Sequence, residues 1–276
     1  MMRAAYLKID GALSFYEDIG EGQPVFCIHT AGQGGVQWRH VGTALAAHGY
    51  RVIVPDLPGH GRSELPLSGA IRDLSDYASW CERLMDELEL NRPFVVGCSI
   101  GGKIAIELAC RRGASLSGAV AMAADAGMPK AAGQGMSRGL LRELEDSAAP
   151  SRSDRTYFGT LAVVGRKVAE EKRRQIADMH RREDPVVSNS DLIGWAGFDA
   201  WQRLASATCP VHLVAGDDDL WIDLDAVKRT AGHMPQARFT LLEGVGHYPM
   251  EEMQDFDRVL DGWLRELSAG PAREEA

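Results

Sequence analysis

The chain has 276 residues, of which 45% are hydrophobic, and this suffices for a substantial core in one large domain. Its formal net charge is −9, whereas proteins that bind nucleic acids are more often basic, so we expect no nucleic-acid partner. The N-terminal stretch has no long apolar run and the five cysteines show no C-x-x-C pair, so we predict no signal peptide, no membrane association and a reduced, cytoplasmic setting.

Apolar segments alternate with helical patterns along most of the chain. The first two predicted strands, at 6–9 and 13–16, are joined by Asp10-Gly11, a favourable hairpin turn. Further strands are predicted at 24–29, 51–55, 94–97, 116–122, 210–215 and 238–242, and helices at 36–48, 74–90 and 100–111. Short unbroken apolar strands that alternate with helices indicate an α/β fold: a mostly parallel central sheet with helices on both faces.

Residues 126–205 interrupt this alternation. They begin with small and polar residues and continue with helical patterns rich in Lys, Arg and Glu, which are typical of a helix with a solvated charged face. We therefore predict an α/β core formed by 1–125 and 206–276, with a helical insertion over 126–205.

One loop fits two motifs that both join a strand to a helix. The segment GCSIG at 97–101 fits the nucleophile elbow G-x-S-x-G of acyl hydrolases. Residues 97–103 also fit most of a phosphate loop, but Ile104 stands where that loop needs a hydroxyl to hold Mg²⁺. An apolar strand precedes Ser99 and a helical pattern follows it, which favours the elbow and predicts Ser99 as a nucleophile.

A second match to G-x-S-x-G occurs at 135–139. The residues before it form no strand pattern, so this segment lacks the context of an elbow. We predict a flexible loop there and do not expect Ser137 to be a nucleophile.

A serine nucleophile needs a histidine base that is oriented by a carboxylate. His247 lies in a glycine-rich loop after the strand at 238–242, at the same edge of the sheet as Ser99. The carboxylate should lie at that edge and between these two residues in the chain, where three consecutive aspartates occupy 217–219 after another strand.

The segments VFCIHTAG, VIVPDLPGHGRSE, VVGCSIGGKIAIELA, VHLVAGDDDL and LLEGVGHYPMEE together resemble the α/β-hydrolase fold superfamily, from residue 24 to about residue 267. The resemblance implies a helical cap and a catalytic triad of Ser99 as nucleophile, Asp219 as acid and His247 as base. Some relatives place the acid after an earlier strand, so Asp125 stays an alternative. A serine at the elbow argues against relatives that work through an alkyl-aspartate ester.

The resemblance also implies an oxyanion hole made of two backbone N–H groups. Ile100 should supply one, and the HTAG loop at 29–32 the other, with Ala31 expected and Gly32 as the alternative. Many relatives have His-Gly at the start of this loop, whereas this chain has Thr30 after the histidine.

We therefore expect a serine hydrolase that cleaves a small, largely apolar ester or lactone through an acyl-enzyme, with a small molecule as its partner and without a cofactor or metal. Hydrolysis of C–C bonds, acyl transfer and perhydrolysis use the same triad, and a receptor with little turnover is the alternative from another class. Trp38, Trp221 and Trp195 are the candidate aromatic walls of the substrate pocket.

Overall fold

The structure, a computed structural model, describes residues 2–145 and 152–269; parts of the predicted insertion and core, 146–151 and 270–276, lie outside the described residues. Eight strands form one sheet. They are β1 (Met2–Ile9), β2 (Ala12–Gly20), β3 (Gln23–Ile28), β4 (Tyr50–Pro55), β5 (Phe94–Cys98), β6 (Gly118–Met122), β7 (Val211–Gly216) and β8 (Ala237–Leu242).

The order of the strands across the sheet is β1-β2-β4-β3-β5-β6-β7-β8. β1 and β2 are antiparallel and are joined at Asp10 and Gly11, both at positive φ, as the hairpin pattern predicts. β2 also pairs antiparallel with β4, and every other neighbouring pair is parallel. The predicted α/β class with a mostly parallel sheet is therefore confirmed.

Helices follow most strands. They are α1 (Gly42–Ala47), α2 (Leu74–Glu87), α3 (Ile100–Arg112), α4 (Lys130–Glu145), α5 (Arg152–Val163), α6 (Glu170–His180), α7 (Pro185–Gly197), α8 (Leu224–His233), α9 (Pro249–Glu252) and α10 (Phe256–Ser268). Within 2–145 and 152–269, none of them is long and apolar enough to cross a membrane.

The prediction of one helix over 36–48 is wrong. A 3-10 turn covers Gly35–Trp38, and α1 begins only at Gly42. The turn buries two consecutive side chains, Gln37 and Trp38. Oε1 of Gln37 accepts hydrogen bonds from the amide and the hydroxyl of Thr30, and these tertiary contacts outweigh the weak helical preference of the segment.

Four helices, α4–α7, lie between β6 and β7, and we call them the helical insertion. Helix α7 is attached to the core loops through the fully buried Asp191. Its carboxylate accepts hydrogen bonds from the Tyr77 hydroxyl (2.7 Å) and the Gly32 amide (2.8 Å), and lies 2.8 Å from Nε2 of His60. These contacts fix the insertion above the loop that follows β3.

The carboxyl ends of the parallel strands β3, β5, β7 and β8 meet at one edge of the sheet because these strands run in the same direction. The loops that leave this edge carry residues 29–32, Ser99, 217–219 and His247. The fold thus brings together residues that are far apart in the chain.

Candidate active site

Ser99 occupies a sharp turn between β5 and α3. Its backbone has φ 57° and ψ −121°, a strained conformation for a residue with a side chain. The turn is so tight that a Cβ on Gly97 would collide with the carbonyl oxygen of Gly101, and one on Gly101 would lie 2.5 Å from the oxygen of Ile28. Both motif glycines are therefore required by close backbone approach, and the turn has the geometry expected of a nucleophile elbow.

His247 and Asp219 form a buried pair beside this turn. Nδ1 of His247 lies 2.6 Å from Oδ2 of Asp219, and the other carboxylate oxygen accepts a hydrogen bond from the amide of Trp221 at 3.0 Å. A carboxylate that accepts a hydrogen bond from Nδ1–H leaves Nε2 of the imidazole free to take a proton from a nucleophile. Ser99 and His247 line the same cavity.

The backbone of His247 is held by two further contacts. Its amide donates to the carbonyl of Val163 at the end of α5 (3.0 Å), so the helical insertion helps to position the loop. Its carbonyl accepts a hydrogen bond from the Cys98 thiol at 3.1 Å. Burial raises the pKa of Cys98 well above its usual value, so the thiol keeps the proton that it donates.

The cavity above Ser99 has a volume of about 500 Å³, within the range of about 300–1,000 Å³ for small-molecule sites. Its apolar walls include Met128, Met136, Leu192 and Trp195 from the insertion side, and Leu220 and Trp221 from the loop after β7. Most of the exposed lining surface is apolar, although polar and charged side chains of the insertion also border the cavity, and this surface suits a small, largely apolar molecule.

The sequence pattern of the alpha/beta hydrolase family matches residues 25–261. The chain belongs to the alpha/beta hydrolase family. It is 27% identical to a 2-hydroxy-6-oxononadienedioate/2-hydroxy-6-oxononatrienedioate hydrolase of Dechloromonas aromatica, over 90% of this chain and 89% of that protein. It is 27% identical to a non-heme chloroperoxidase of Kitasatospora aureofaciens, over 86% and 90%. Its fold matches a thermophilic esterase of Thermogutta terrifontis with a TM-score of 0.82, at 22% identity and covering 96% and 99% of the two chains.

In this alpha/beta hydrolase, Asp125, the alternative acid, is bonded elsewhere. Its Oδ1 lies 2.8 Å from Nζ of Lys103 and accepts the amide of Gly127 at 2.7 Å. Lys103 is fully buried, with its ammonium 4.1 Å above the ring of Trp195. Burial lowers the pKa of Lys103, against the opposing effect of the Asp125 carboxylate. A lysine paired in this way is not available to a phosphate, which also argues against the phosphate loop.

The hydrogen bonds of the loop after β3 separate the two candidate oxyanion donors. The amide of Gly32 donates to Asp191 and is therefore occupied. Ala31 lines the cavity. Ile100 is the first residue of α3, where a helix leaves its N–H groups without intrahelical partners. The arrangement favours Ala31 and Ile100 as the pair that could bind an oxyanion.

Thr30, the residue after His29 in this loop, is held by its neighbours. Its amide and its hydroxyl both donate to Oε1 of Gln37, at 2.8 and 3.0 Å. Nδ1 of His29 lies 2.9 Å from the carbonyl oxygen of Thr30, and Nε2 of the same ring accepts a hydrogen bond from the amide of Leu57 at 2.9 Å. Burial lowers the pKa of His29 to about 4, so its ring is neutral and can accept that bond. The loop is thus rigid where Ala31 meets the cavity.

Two of the three predicted tryptophans line the cavity. The Trp221 ring, 49% exposed, lies 4.9 Å from the ring of His247, and Trp195 reaches the cavity from α7. Trp38 is not among the described residues that line it, so its predicted place in the pocket wall is wrong. It is buried to 1% in the core, 6.5 Å from the ring of Phe256, because the 3-10 turn directs this large apolar side chain inward.

Ser137 lies inside α4, so the prediction of a flexible loop there is wrong. The apolar or small residues Gly133, Met136 and Leu140 recur at helical spacing and face inward, which explains the helix despite its glycines. Ser137 follows no strand and occupies no sharp turn, so its place inside α4 agrees with the expectation that it is not the serine of a nucleophile elbow.

Sequence reasoning missed the polar residues that the insertion contributes to the cavity, which are Arg155, Thr156, His180, Glu183 and Ser188. A histidine and a glutamate three residues apart at the end of a helix are common in proteins, so this spacing could not single them out. Their importance follows only from their place beside the elbow.

Proposed function

We propose that the protein is a serine hydrolase that cleaves a small, largely apolar ester or lactone through an acyl-enzyme intermediate. One observation carries the proposal: a strained serine at an elbow shares a cavity with a histidine whose Nδ1 lies 2.6 Å from a buried carboxylate. Such a constellation serves nucleophilic attack on a carbonyl.

In the proposed mechanism, His247 takes the proton of Ser99 while the serine oxygen attacks the carbonyl carbon. The negative oxygen of the tetrahedral intermediate accepts hydrogen bonds from the amides of Ala31 and Ile100. His247 then gives its proton to the leaving alcohol, and an acyl-enzyme remains. A water molecule deprotonated by His247 releases the acid, while Asp219 keeps the imidazole in the tautomer that both half-reactions need.

The substrate class is inferred from the walls of the cavity. The volume of about 500 Å³ suits a molecule of drug size or smaller, and the methionine, leucine and tryptophan side chains favour apolar groups. Burial of each CH₂ group contributes about 0.8 kcal/mol, so binding should improve with acyl length until the space beneath the insertion is filled.

Hydrolysis of a C–C bond next to a ketone is the second candidate function. It is favoured by a relative of nearly the same length whose name describes a 2-hydroxy-6-oxo-dienedioate as substrate. Perhydrolysis is suggested in the same way by the relative named a chloroperoxidase. All three reactions begin with the same serine, histidine and oxyanion groups, so the substrate panel must separate them.

Labelling and turnover together test the proposal. A fluorophosphonate probe should add once, at Ser99, and labelling should vanish in Ser99→Ala while persisting in Ser137→Ala. Steady turnover of p-nitrophenyl acyl esters is expected, with a linear dye release over many equivalents. A single equivalent of release would instead indicate a receptor, and activity confined to a 2-hydroxy-6-oxo-dienoate would transfer the proposal to C–C hydrolysis.

A further inference from the structure

The cavity above Ser99 contains a second histidine that is oriented by a carboxylate. His180 ends α6, and its Nδ1 lies 2.7 Å from Oε1 of Glu183. Both side chains are at least 97% buried. The other oxygen of Glu183 accepts the Ser188 hydroxyl at 2.6 Å, and the amide nitrogen of Gln33 lies 3.3 Å from Oε1. Since the carboxylate has donors at both oxygens, it accepts a hydrogen bond from Nδ1–H of His180, and this bond fixes the orientation of the ring.

The other ring nitrogen of His180 lacks a bond. Nε2 is buried and has no hydrogen-bond partner among the described residues. Buried polar atoms are normally paired, and an exception beside a ligand cavity indicates a group that is paired when the ligand is bound. His180 and Glu183 both line the cavity that contains Ser99 and His247.

His180 and the proposed base His247 share an aromatic neighbour. The ring of Tyr248 contacts both histidines, with its centroid 4.9 Å from that of His247 and 4.8 Å from that of His180. Because both histidines line the same cavity, a substrate held there can contact both of them.

The tautomer defines the chemistry that His180 can recognise. With the Nδ1 proton donated to Glu183, Nε2 carries a lone pair and is an acceptor. We propose that His180 recognises a hydroxyl group of the substrate by accepting its hydrogen bond at Nε2. This inference rests on the proposed hydrolase function and names a feature of the substrate: an apolar acyl or leaving group that carries one hydroxyl.

A matched set of esters tests this. The p-nitrophenyl ester of 3-phenylpropanoic acid is compared with its meta and para derivatives that carry a hydroxyl, a methyl or a carboxylate. The methyl group has nearly the size of the hydroxyl but cannot donate. We expect kcat/KM for one hydroxyl isomer to exceed that of the matching methyl ester by about tenfold, the upper range for one neutral hydrogen bond.

Two substitutions of His180 separate recognition from structure. An asparagine amide can replace Nδ1 and keep the bond to Glu183, whereas a glutamine amide reaches the position of Nε2 and keeps the acceptor. We expect His180→Asn to abolish the hydroxyl preference and His180→Gln to retain part of it. The readout is the ratio of kcat/KM between the hydroxyl and the methyl ester within each variant, which a general loss of activity does not change. His233→Asn, a change at an exposed histidine, is the control.

A hydroxyl preference that survives in His180→Asn, or a preference for the carboxylate, overturns the inference while leaving the hydrolase function intact. If no ester is hydrolysed, the proposed function fails and binding decides the inference separately. Calorimetry with Ser99→Ala then compares 3-(hydroxyphenyl)propanoic acid with 3-phenylpropanoic acid. Tighter binding of the hydroxylated acid that is lost on adding His180→Asn supports the role of His180, and equal affinities refute it.

Discussion

The carboxylate of Glu252 binds the backbone on both sides of His247. It accepts the amide of Gly246 at 2.6 Å and that of Tyr248 at 2.9 Å, and a third bond comes from the amide of Gly165 in the insertion at 3.0 Å. One buried side chain therefore connects the loop of the proposed base to the segment between α5 and α6. Glu252 can therefore be tested as a residue that positions His247, and Glu251, the buried glutamate next to it in the chain, serves as the control.

Glu252→Gln should lower kcat by up to about 100-fold while KM stays within about twofold. An amide has one acceptor oxygen for three N–H donors, so the loop shifts, and a displacement of about 1 Å at a catalytic group can cost that factor. Glu251→Gln is the matched control: it removes an ion pair with Arg39 at 3.2 Å but no bond to the base loop. Steady-state kinetics and thermal melting of both variants check this, and equal losses of kcat would contradict it.

Exchanging each candidate acid for its amide should distinguish their roles. Asp219→Asn should reduce kcat by roughly 10⁴-fold, as the corresponding change does in serine proteases, because the imidazole loses its preferred tautomer. Asp125→Asn should instead cost about 3–5 kcal/mol of stability, since Lys103 loses its buried partner. Kinetics and urea unfolding measure the two effects. If Asp219→Asn kept the native kcat, while Asp125→Asn lost kcat but kept the native stability, the catalytic acid would be Asp125.

The two G-x-S-x-G segments should respond in opposite ways to alanine at their last glycine. In Gly101→Ala the new Cβ would lie 2.5 Å from the Ile28 oxygen and 2.7 Å from that of His29, so strand and helix must separate, at a cost of about 3 kcal/mol or more. In Gly139→Ala nothing lies within 4 Å, and the helix gains up to about 1 kcal/mol, or about 2–4 °C in Tm. Melting curves and fluorophosphonate labelling test this; a stable, fully labelled Gly101→Ala protein would disprove the tight turn.

Trp221 and Trp38 should affect selectivity differently, although both were predicted to line the pocket. Trp221→Ala should change the acyl length at which kcat/KM is highest, because its ring lies beside His247 and borders the cavity. Trp38→Phe should lower Tm and leave the order of acyl chains unchanged, since Trp38 is buried in the core. A series of p-nitrophenyl esters from acetate to decanoate provides the measurement. If Trp221→Ala has its highest kcat/KM at the same acyl length as the native protein, Trp221 does not border the acyl site.

Acid should destabilise the protein in part through His212. Burial lowers the pKa of His212 to about 4 in the folded state, against 6.5 in an unfolded chain. Between pH 4 and pH 6.5 the imidazole is protonated in the unfolded chain but neutral in the folded protein. The free energy of unfolding therefore decreases as the pH falls from 6.5 towards 4, by on the order of 3 kcal/mol.

His212→Gln should flatten this part of the pH dependence, because glutamine does not titrate and can keep the bond to Thr240, which measures 2.8 Å from Nε2 in the native protein. Urea unfolding at pH 7.5 and pH 4.5 gives the two free energies, and His233→Gln, at an exposed site, is the control. If the free energy of unfolding differed between pH 7.5 and pH 4.5 by the same amount in His212→Gln as in the native protein, then His212 would be protonated in the folded state at pH 4.5.

Local patterns were sufficient for the sheet and for the elbow. The alternation of buried strands and helices predicts a parallel sheet because such strands must be covered on both faces. Ser99 stands out because the elbow needs a strand, a tight turn with small residues and a helix, all contiguous in sequence. The 3-10 turn at Gly35–Trp38 and the helix around Ser137 were missed, since burial of Trp38 and Met136 overrides the weak preferences of those short segments.

The sequence by itself determined the α/β class, the hairpin at Asp10-Gly11, and the residues at the carboxyl ends of the strands from which a triad can be drawn. Only the tertiary structure showed that Asp219 and not Asp125 is the partner of His247, that the Gly32 amide is bonded to Asp191, and which of the three tryptophans lie at the cavity or in the core. The physical reason is that these hydrogen-bond partners lie 22 to 159 residues apart in the chain, and no local pattern encodes such contacts. His180 entered the site for the same reason, through the packing of the insertion over Ser99.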